Sequence, residues 1–166
     1  MTKISILGCG WLGFPLAKAL VSKGFSVKGS TTSDEKLAVL ENAGIAPFLI
    51  ALSENKTTGN LTDFLENSEI LIIDVPPKLR GSGTENFVSK IRNVIPFIEK
   101  SSVKKVLFIS STSVYYDDDA FVTEETIPKP DTESGKQLLE TEQLLQNNIN
   151  FKTTVLRFGG LIGEDR

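Results

Sequence analysis

The chain has 166 residues, of which 40% are hydrophobic and 23% are charged, and its net charge is −3. This balance predicts one soluble globular domain with a sizeable core, and it excludes the basic field that recruits nucleic acid or an anionic membrane. A single cysteine and the absence of histidine exclude an intramolecular disulfide and histidine-activated nucleophiles. No apolar run approaches the roughly 20 residues that cross a bilayer, so we expect a cytoplasmic protein. Because histidine, the commonest zinc ligand, is absent, we expect no bound metal.

The first predicted elements are a strand at residues 4–8, a helix at 11–23 and a second strand at 25–29. The stretch ILGCGWLG places Gly8, Gly10 and Gly13 in a G-x-G-x-x-G spacing between the first two. Within a βαβ unit this spacing indicates a dinucleotide site. Gly8 would make the tight turn, Gly10 would let a pyrophosphate approach the backbone, and Gly13 would let the helix pack on the strand. The alternative is a glycine turn without a ligand.

The other residues of this loop, Cys9, Trp11 and Leu12, are included among the predicted cofactor-binding residues. We interpret Cys9 as a small loop residue rather than a nucleophile, because nothing nearby in the sequence supplies a base. Trp11 is predicted to pack at the start of the helix, although its indole could instead shield the pyrophosphate from water.

Three hydroxyl residues after the second strand are also predicted to contact the cofactor: Ser30, Thr31 and Thr32. NAD sites place an acid near the end of this strand to bind the ribose 2′-hydroxyl, but here the first acid is Asp34. Hydroxyls and amides of residues 30–33 could accept the 2′-phosphate of NADP, with help from Lys28 or Lys36. The sequence therefore predicts binding of NADP or NAD with a modest preference for NADP.

The pattern continues with a helix at 34–43, a strand at 46–52, a short helix at 61–66, a strand at 69–75 and a longer helix at 86–100. These strands are apolar almost throughout, which is typical of a parallel sheet covered by helices on both faces.

The last predicted elements are a strand at 104–110, a helix at 135–146 and a strand at 151–158. The whole series predicts a doubly wound α/β domain. A long irregular segment at 112–134 leaves the carboxyl end of a strand, which is where ligands bind in such sheets. Arg157, on the last strand, is interpreted as a partner in a structural ion pair rather than as a substrate contact.

Four further stretches, IDVPP, FISSTSVY, PDTESGKQLLETEQLL and TVLRFGGLIGEDR, together with the glycine loop, resemble the extended short-chain dehydrogenase/reductase superfamily. The resemblance is to its NAD-dependent epimerase/dehydratase group, in an atypical NAD(P)-binding branch with GCGWLG-type openings. It implies a Rossmann fold, in which the loop of Val75, Pro76 and Pro77 borders the cofactor. It also implies that Ser111, four residues before Tyr115, hydrogen-bonds the substrate. The alternative for Ser111 is ordinary capping of the strand end.

The sequence departs from this family at its catalytic pair. The Tyr-x-x-x-Lys of these enzymes aligns with Ser134 and Leu138, so both functional groups are missing. Lys136 lies about 200° around the helix from Leu138 and should not point the same way. The chain's two tyrosines, Tyr115 and Tyr116, come earlier, in the irregular segment, and either would have to swing in from it to donate a proton. We take Tyr115 as the candidate catalytic residue beside Ser111.

Two functions stay open. The first is an epimerase/dehydratase-like oxidoreductase acting on a nucleotide sugar or a similar small polar compound, and the second is a non-catalytic NAD(P) sensor or interaction protein. Because the family adds a C-terminal substrate domain after a strand such as that ending near RFGGLIG, we expect residues 1–166 to be the N-terminal portion of a longer protein. The expected partners are the dinucleotide, an unidentified small-molecule substrate and at most a second copy in a homodimer, with neither nucleic acid nor membrane.

Overall fold

The computed structural model describes residues 1–77, 85–116 and 121–163. The elements of the first half are β1 (Lys3–Leu7), α1 (Gly13–Ser22), β2 (Ser26–Thr31), α2 (Glu35–Asn42), β3 (Ala46–Leu49), β4 (Ala51–Leu52), β5 (Thr57–Thr58) and α3 (Leu61–Leu65). Those of the second half are β6 (Ile70–Ile73), α4 (Phe87–Arg92), α5 (Ile95–Lys100), β7 (Lys105–Ser111), a 3₁₀ turn (Thr112–Val114), α6 (Glu133–Gln146) and β8 (Lys152–Phe158).

Six strands form one sheet in the order β3-β2-β1-β6-β7-β8, and every neighbouring pair in it is parallel. The predicted doubly wound α/β fold is therefore confirmed. The chain runs outward from β1 in one direction, through β2 and β3, and then returns to place β6 on the other side of β1. In such sheets the carboxyl ends of the two central strands diverge into a crevice, and ligands bind there.

Both faces of the sheet are buried, which explains the continuous apolar runs. In β1, Ile4 and Ile6 join a core cluster on one face, with Leu40 of α2, while Leu7 joins the cluster on the other face, with Phe64 and Phe108. Ser5 is fully buried among these residues, and its hydroxyl hydrogen-bonds the Phe64 carbonyl oxygen and the Ser68 hydroxyl, at 2.7 Å each. A polar side chain is thus accommodated inside the core because its hydroxyl is fully partnered.

Two predicted elements are divided in the structure. The predicted strand at 46–52 leaves the main sheet at Ile50, and its last residues form β4, which pairs in antiparallel fashion with β5. The predicted helix at 86–100 is broken into α4 and α5. Pro96 explains the break, because it has no N–H to donate to the Arg92 carbonyl and its ring would clash with that carbonyl in a continuous helix.

Among the described residues, every helix is too short or too polar to cross a membrane.

Candidate functional site

The glycine loop between β1 and α1 is tightly folded against the neighbouring strand. Gly8 has a φ of +105°, and a Cβ there would lie 2.2 Å from the Asp74 carbonyl oxygen. A Cβ on Gly13, the first residue of α1, would lie 2.1 Å from the Gly8 carbonyl oxygen. Both positions therefore require glycine for the loop to close.

Gly10 differs from these two glycines, because it is exposed and a Cβ there would meet no atom within 4 Å. Gly10 comes just before the start of α1, where the side chain of Leu12 makes no capping hydrogen bond and the first turn has no acidic residue. The Gly13 and Phe14 N–H groups already donate, to the Asp74 carboxylate and to the Gly10 carbonyl oxygen. Pro15 has no N–H, so the helix start attracts phosphate through its dipole rather than through unpaired N–H groups. The loop and the helix start together fit a dinucleotide pyrophosphate.

Ser30 fixes this loop from the adjacent strand β2. Its hydroxyl accepts a hydrogen bond from the Gly8 N–H at 2.9 Å, and its carbonyl oxygen accepts one from the Cys9 N–H at 2.7 Å. The Cys9 side chain is only 5% exposed, and burial, together with the charge of Asp74, raises the pKa of its thiol to about 12. Cys9 is therefore a thiol at neutral pH and lacks the thiolate that a nucleophile needs.

The residues predicted to favour NADP over NAD differ in their exposure to solvent. Ser30 is 2% exposed, and Thr31 is also buried, with a hydroxyl that accepts a hydrogen bond from the Ser33 N–H. Thr32 is exposed. The Lys28 ammonium was predicted to help bind a 2′-phosphate, but it donates to the Asp63 and Glu66 carbonyl oxygens at 2.5 and 2.8 Å, at the end of α3. These two carbonyls occupy the Lys28 ammonium, and the help that Lys28 or Lys36 would give to a 2′-phosphate stays a prediction.

Asp74 is a site residue that sequence reasoning missed. It follows β6 directly, its N–H donates to the Leu7 carbonyl oxygen at 2.8 Å, and its carboxylate accepts a hydrogen bond from the Gly13 N–H. Burial raises the pKa of this carboxyl to about 6, against the lowering effect of the Gly13 N–H. The available signal was the acid of IDVPP, which comes at the carboxyl end of a buried strand where ligands are expected.

The residues that follow Asp74 also lie at the glycine loop. A Cβ on Gly8 would be 3.4 Å from Cγ2 of Val75, which is half-buried. Pro76 is exposed and Pro77 is half-buried. The structure thus brings the loop after β6 beside the loop after β1, as the parallel pairing of the two strands requires.

Ser111 and Tyr115 lie at the carboxyl end of β7, with β6 between them and the glycine loop. The Ser111 hydroxyl accepts a hydrogen bond from the Ser113 N–H at 3.2 Å and caps the 3₁₀ turn. The Tyr115 hydroxyl accepts from Nη1 of Arg157 at 2.6 Å and donates to the Thr123 carbonyl oxygen at 3.3 Å. Tyr115 is therefore tied towards β8 rather than towards the centre of the sheet.

Arg157 is itself held by an ion pair. Its guanidinium makes a two-pronged contact with the carboxylate of Glu142 on α6, with Nη2 to Oε2 at 2.6 Å and Nε to Oε1 at 3.1 Å. Glu142 is 1% exposed and also accepts a hydrogen bond from the Ser110 hydroxyl at 2.5 Å. The prediction of a structural ion pair at Arg157 is confirmed.

A cavity of about 510 Å³ lies beside Tyr115, between β8 and residues 122–124. Its described lining residues come from β8, the 3₁₀ turn, the end of α6 and the irregular segment, and none of them belongs to the glycine loop. The cavity therefore lies away from the start of α1, where the helix dipole favours a phosphate. The glycine spacing and the dipole of α1 therefore favour the glycine loop, rather than this cavity, as the dinucleotide site.

The positions of the missing catalytic pair lie on α6. Leu138 is 4% exposed and belongs to the main hydrophobic cluster, whereas Lys136 is exposed on another face of the helix. Ser134 is half-buried. The lysine of this helix therefore does not replace the missing one.

A family model described as NADP oxidoreductase coenzyme F420-dependent matches residues 3–110. Protein YeeZ of Escherichia coli K12 is 33% identical over an alignment of 167 positions, which covers 100% of this chain and 61% of YeeZ. The chain thus spans less than two thirds of the length of this relative.

Solved structures share the fold. A protein of Methylobacillus flagellatus assigned provisionally to the NAD-dependent epimerase/dehydratases is 31% identical with a TM-score of 0.73, and the match covers 99% of this chain and 56% of that one. UDP-glucuronic acid 4-epimerase from Bacillus cereus, in complex with NAD, has a TM-score of 0.75 at 20% identity, covering 95% of this chain and 56% of that one. These neighbours belong to the epimerase/dehydratase group, whose fold this chain therefore shares.

Proposed function

Because the chain belongs to the family described as NADP oxidoreductase coenzyme F420-dependent, we propose that its glycine loop binds the pyrophosphate of NADP or NAD for an oxidoreductase reaction. The chain is an NAD(P)-binding Rossmann-type oxidoreductase domain. A bound dinucleotide would supply or accept a hydride, while the residues of this chain bind and orient the reactants.

The open space at Gly10 carries this proposal. Gly8 and Gly13 are needed to fold the loop, but nothing in the described structure makes glycine necessary at Gly10. A phosphate group approaching the backbone there would provide the reason, since any side chain at this position would occupy its path. The positive end of the α1 dipole lies at the same place.

The proposed substrate of the whole protein is a nucleotide sugar or a similar small polar carbonyl or hydroxyl compound, in a reaction of the epimerase/dehydratase type. The 31% identity to the Methylobacillus flagellatus protein supports this class. In this proposal the Ser111 hydroxyl, at the carboxyl end of β7, turns from the Ser113 N–H to a substrate oxygen. The atypical-branch membership that the GCGWLG opening suggests is part of the same proposal.

Substituting Gly10 tests the dinucleotide site. Gly10→Val should abolish NADP and NAD binding in calorimetry, and Gly10→Ala should weaken it less, because the two side chains fill the space to different extents. Thermal unfolding is the control, since a Cβ at Gly10 contacts nothing and should leave the melting temperature close to that of the parent. Unchanged affinity in Gly10→Val would contradict the proposal.

A second function, a non-catalytic NAD(P) sensor or interaction protein, is favoured by one observation. Burial of Leu138 in the core leaves α6 without a lysine beside Ser134, so no activated proton donor stands there. A positioned proton donor contributes typically about 10²- to 10⁴-fold in rate. The 166-residue chain should therefore bind cofactor without turnover of carbonyl or sugar-nucleotide substrates. Hydride transfer that is lost in Ser111→Ala or Tyr115→Phe would show that another acid operates.

A further inference from the structure

Trp11, the single tryptophan of the chain, follows Gly10 in the glycine loop. Its side chain is 39% exposed. Trp11 therefore belongs to the loop that the proposed pyrophosphate would contact, at the carboxyl edge of the sheet.

Residues 159–163, which we call the bridge segment, come from the edge strand β8 and reach this indole. They follow β8, which is separated from β1 by β7 and β6. A Cβ on Gly159 would lie 4.0 Å from the Thr112 hydroxyl oxygen, just after β7, and a Cβ on Gly163 would lie 2.3 Å from Cζ2 of Trp11. The segment thus begins at the end of β8, beside the residue that follows β7, and finishes at the glycine loop.

The span of the bridge segment fixes its path. Three strand spacings separate β8 from β1, a distance of about 14 Å at about 4.8 Å each. Five extended residues reach about 17 Å, so the segment has little slack. It therefore runs along the carboxyl edge of the sheet from β8, past Thr112, to the glycine loop.

Two of the three glycines in this segment, Gly160 and Gly163, have different surroundings. At Gly163 the six-membered ring of Trp11 occupies the position of a side chain, with Cζ2 and Cη2 at 2.3 and 3.0 Å from an added Cβ. At Gly160 an added Cβ would meet no atom within 4 Å. Close approach to the indole is thus a property of Gly163, and Gly160 provides a matched control three residues away.

We propose that Trp11 is a positioning residue that couples dinucleotide binding to the bridge segment. The phosphates bind the loop that carries the indole, and the indole, in contact with Gly163, holds the segment against the carboxyl edge of the sheet, where its other end lies beside Thr112 and next to Ser111. This inference rests on the proposed dinucleotide binding. It adds the contact between Trp11 and Gly163, which links the glycine loop to the segment after β8.

The test uses the single tryptophan as its own reporter. In Gly163→Ala the new methyl group must displace the indole or the segment, so the Trp11 emission maximum and its quenching by acrylamide should both change. Gly160→Ala should match the parent in both measurements. If Gly163→Ala also matches the parent, the contact does not exist in solution and the proposal is overturned.

Calorimetry with NADP and NAD then tests the coupling. Gly163→Ala should weaken binding by about fivefold or more, the lower end of typical coupling between sites. Trp11→Phe, which removes the contact without adding atoms, should weaken it in the same direction, and circular dichroism checks that each variant is folded. If Gly163→Ala alters the Trp11 emission but binds both dinucleotides as tightly as Gly160→Ala does, the contact exists and the coupling is overturned. A parent protein that binds neither dinucleotide would overturn the proposed function, and the coupling with it.

Discussion

Replacing Asp74 by asparagine tests the electrostatic cost of a carboxylate held beside the glycine loop. Its pKa is raised from 3.8 to about 6, chiefly because burial disfavours the charged form. Between these two pH values the folded protein holds a proton that the unfolded chain has lost. The free energy of unfolding should therefore fall as the pH rises from about 4 to about 6, and the full cost should be present above that range.

The size of the effect follows from the same values. A difference of about two pKa units corresponds to about 3 kcal/mol, and solvent screening at this partly exposed carboxyl reduces it to about 1 to 2 kcal/mol. Asparagine keeps an oxygen that can accept the Gly13 N–H but carries no charge. We expect Asp74→Asn to raise the melting temperature at about pH 7.5 by about 2 to 8 °C. Near pH 4 the gain should shrink towards zero.

Thermal unfolding followed by circular dichroism from about pH 4 to about pH 8 measures this difference. Asp34→Asn is the matched control, because Asp34 is exposed and makes no capping hydrogen bond to α2. Its melting curve should follow the parent at every pH. An Asp74→Asn protein that melts at or below the parent temperature above pH 7, or whose gain persists at pH 4, would refute the reasoning.

Three other predictions concern the cofactor, the thiol and the buried ion pair. NADP should bind more tightly than NAD in a competition titration. Thr32 is exposed and no acid precedes Asp34, so no carboxylate repels a 2′-phosphate there. Tighter binding of NAD would reject this preference. Cys9, buried and with a pKa of about 12, should react with a thiol reagent at pH 8 only after denaturation, and rapid labelling of the folded protein would contradict its burial. Glu142→Ala should destabilise the protein by about 3 kcal/mol in urea unfolding, because Arg157 loses its carboxylate partner, whereas a loss below about 1 kcal/mol would show that water replaces it.

Local patterns were sufficient to predict the sheet. Alternate residues of a strand face opposite sides, so an apolar run such as that around Ile6 implies cover on both faces, and that cover is present. The glycine spacing then located the turn between β1 and α1. Pro96 was visible in the sequence, but the apolar periodicity of residues 86–100 continued through it, and the break was missed.

The side-chain chemistry of the site was harder to predict, because it depends on which groups meet across the sheet. The hydroxyl of Ser30 looks available in the sequence, yet the Gly8 N–H uses it. The ammonium of Lys28 bonds to carbonyls near the end of α3. Asp74 acquires its raised pKa from the fold around it, since only the packing of the loops after β1 and β6 buries it. These contacts join residues that are far apart in the sequence, so local sequence patterns do not predict them.

The strand order also determines when the binding crevice forms during folding. Ile4 pairs with Val27 and with Ile70, so the first pairing closes a short stretch of chain and the second a much longer one. Longer closures cost more chain entropy and slow the step that makes them. Asp74 joins Leu7 only in that later step, since it follows directly on the β1–β6 pairing. A refolding chain should thus regain helical signal before it regains affinity for dinucleotide, and a nascent chain must expose β6 beyond the ribosome before its glycine loop is supported on both sides.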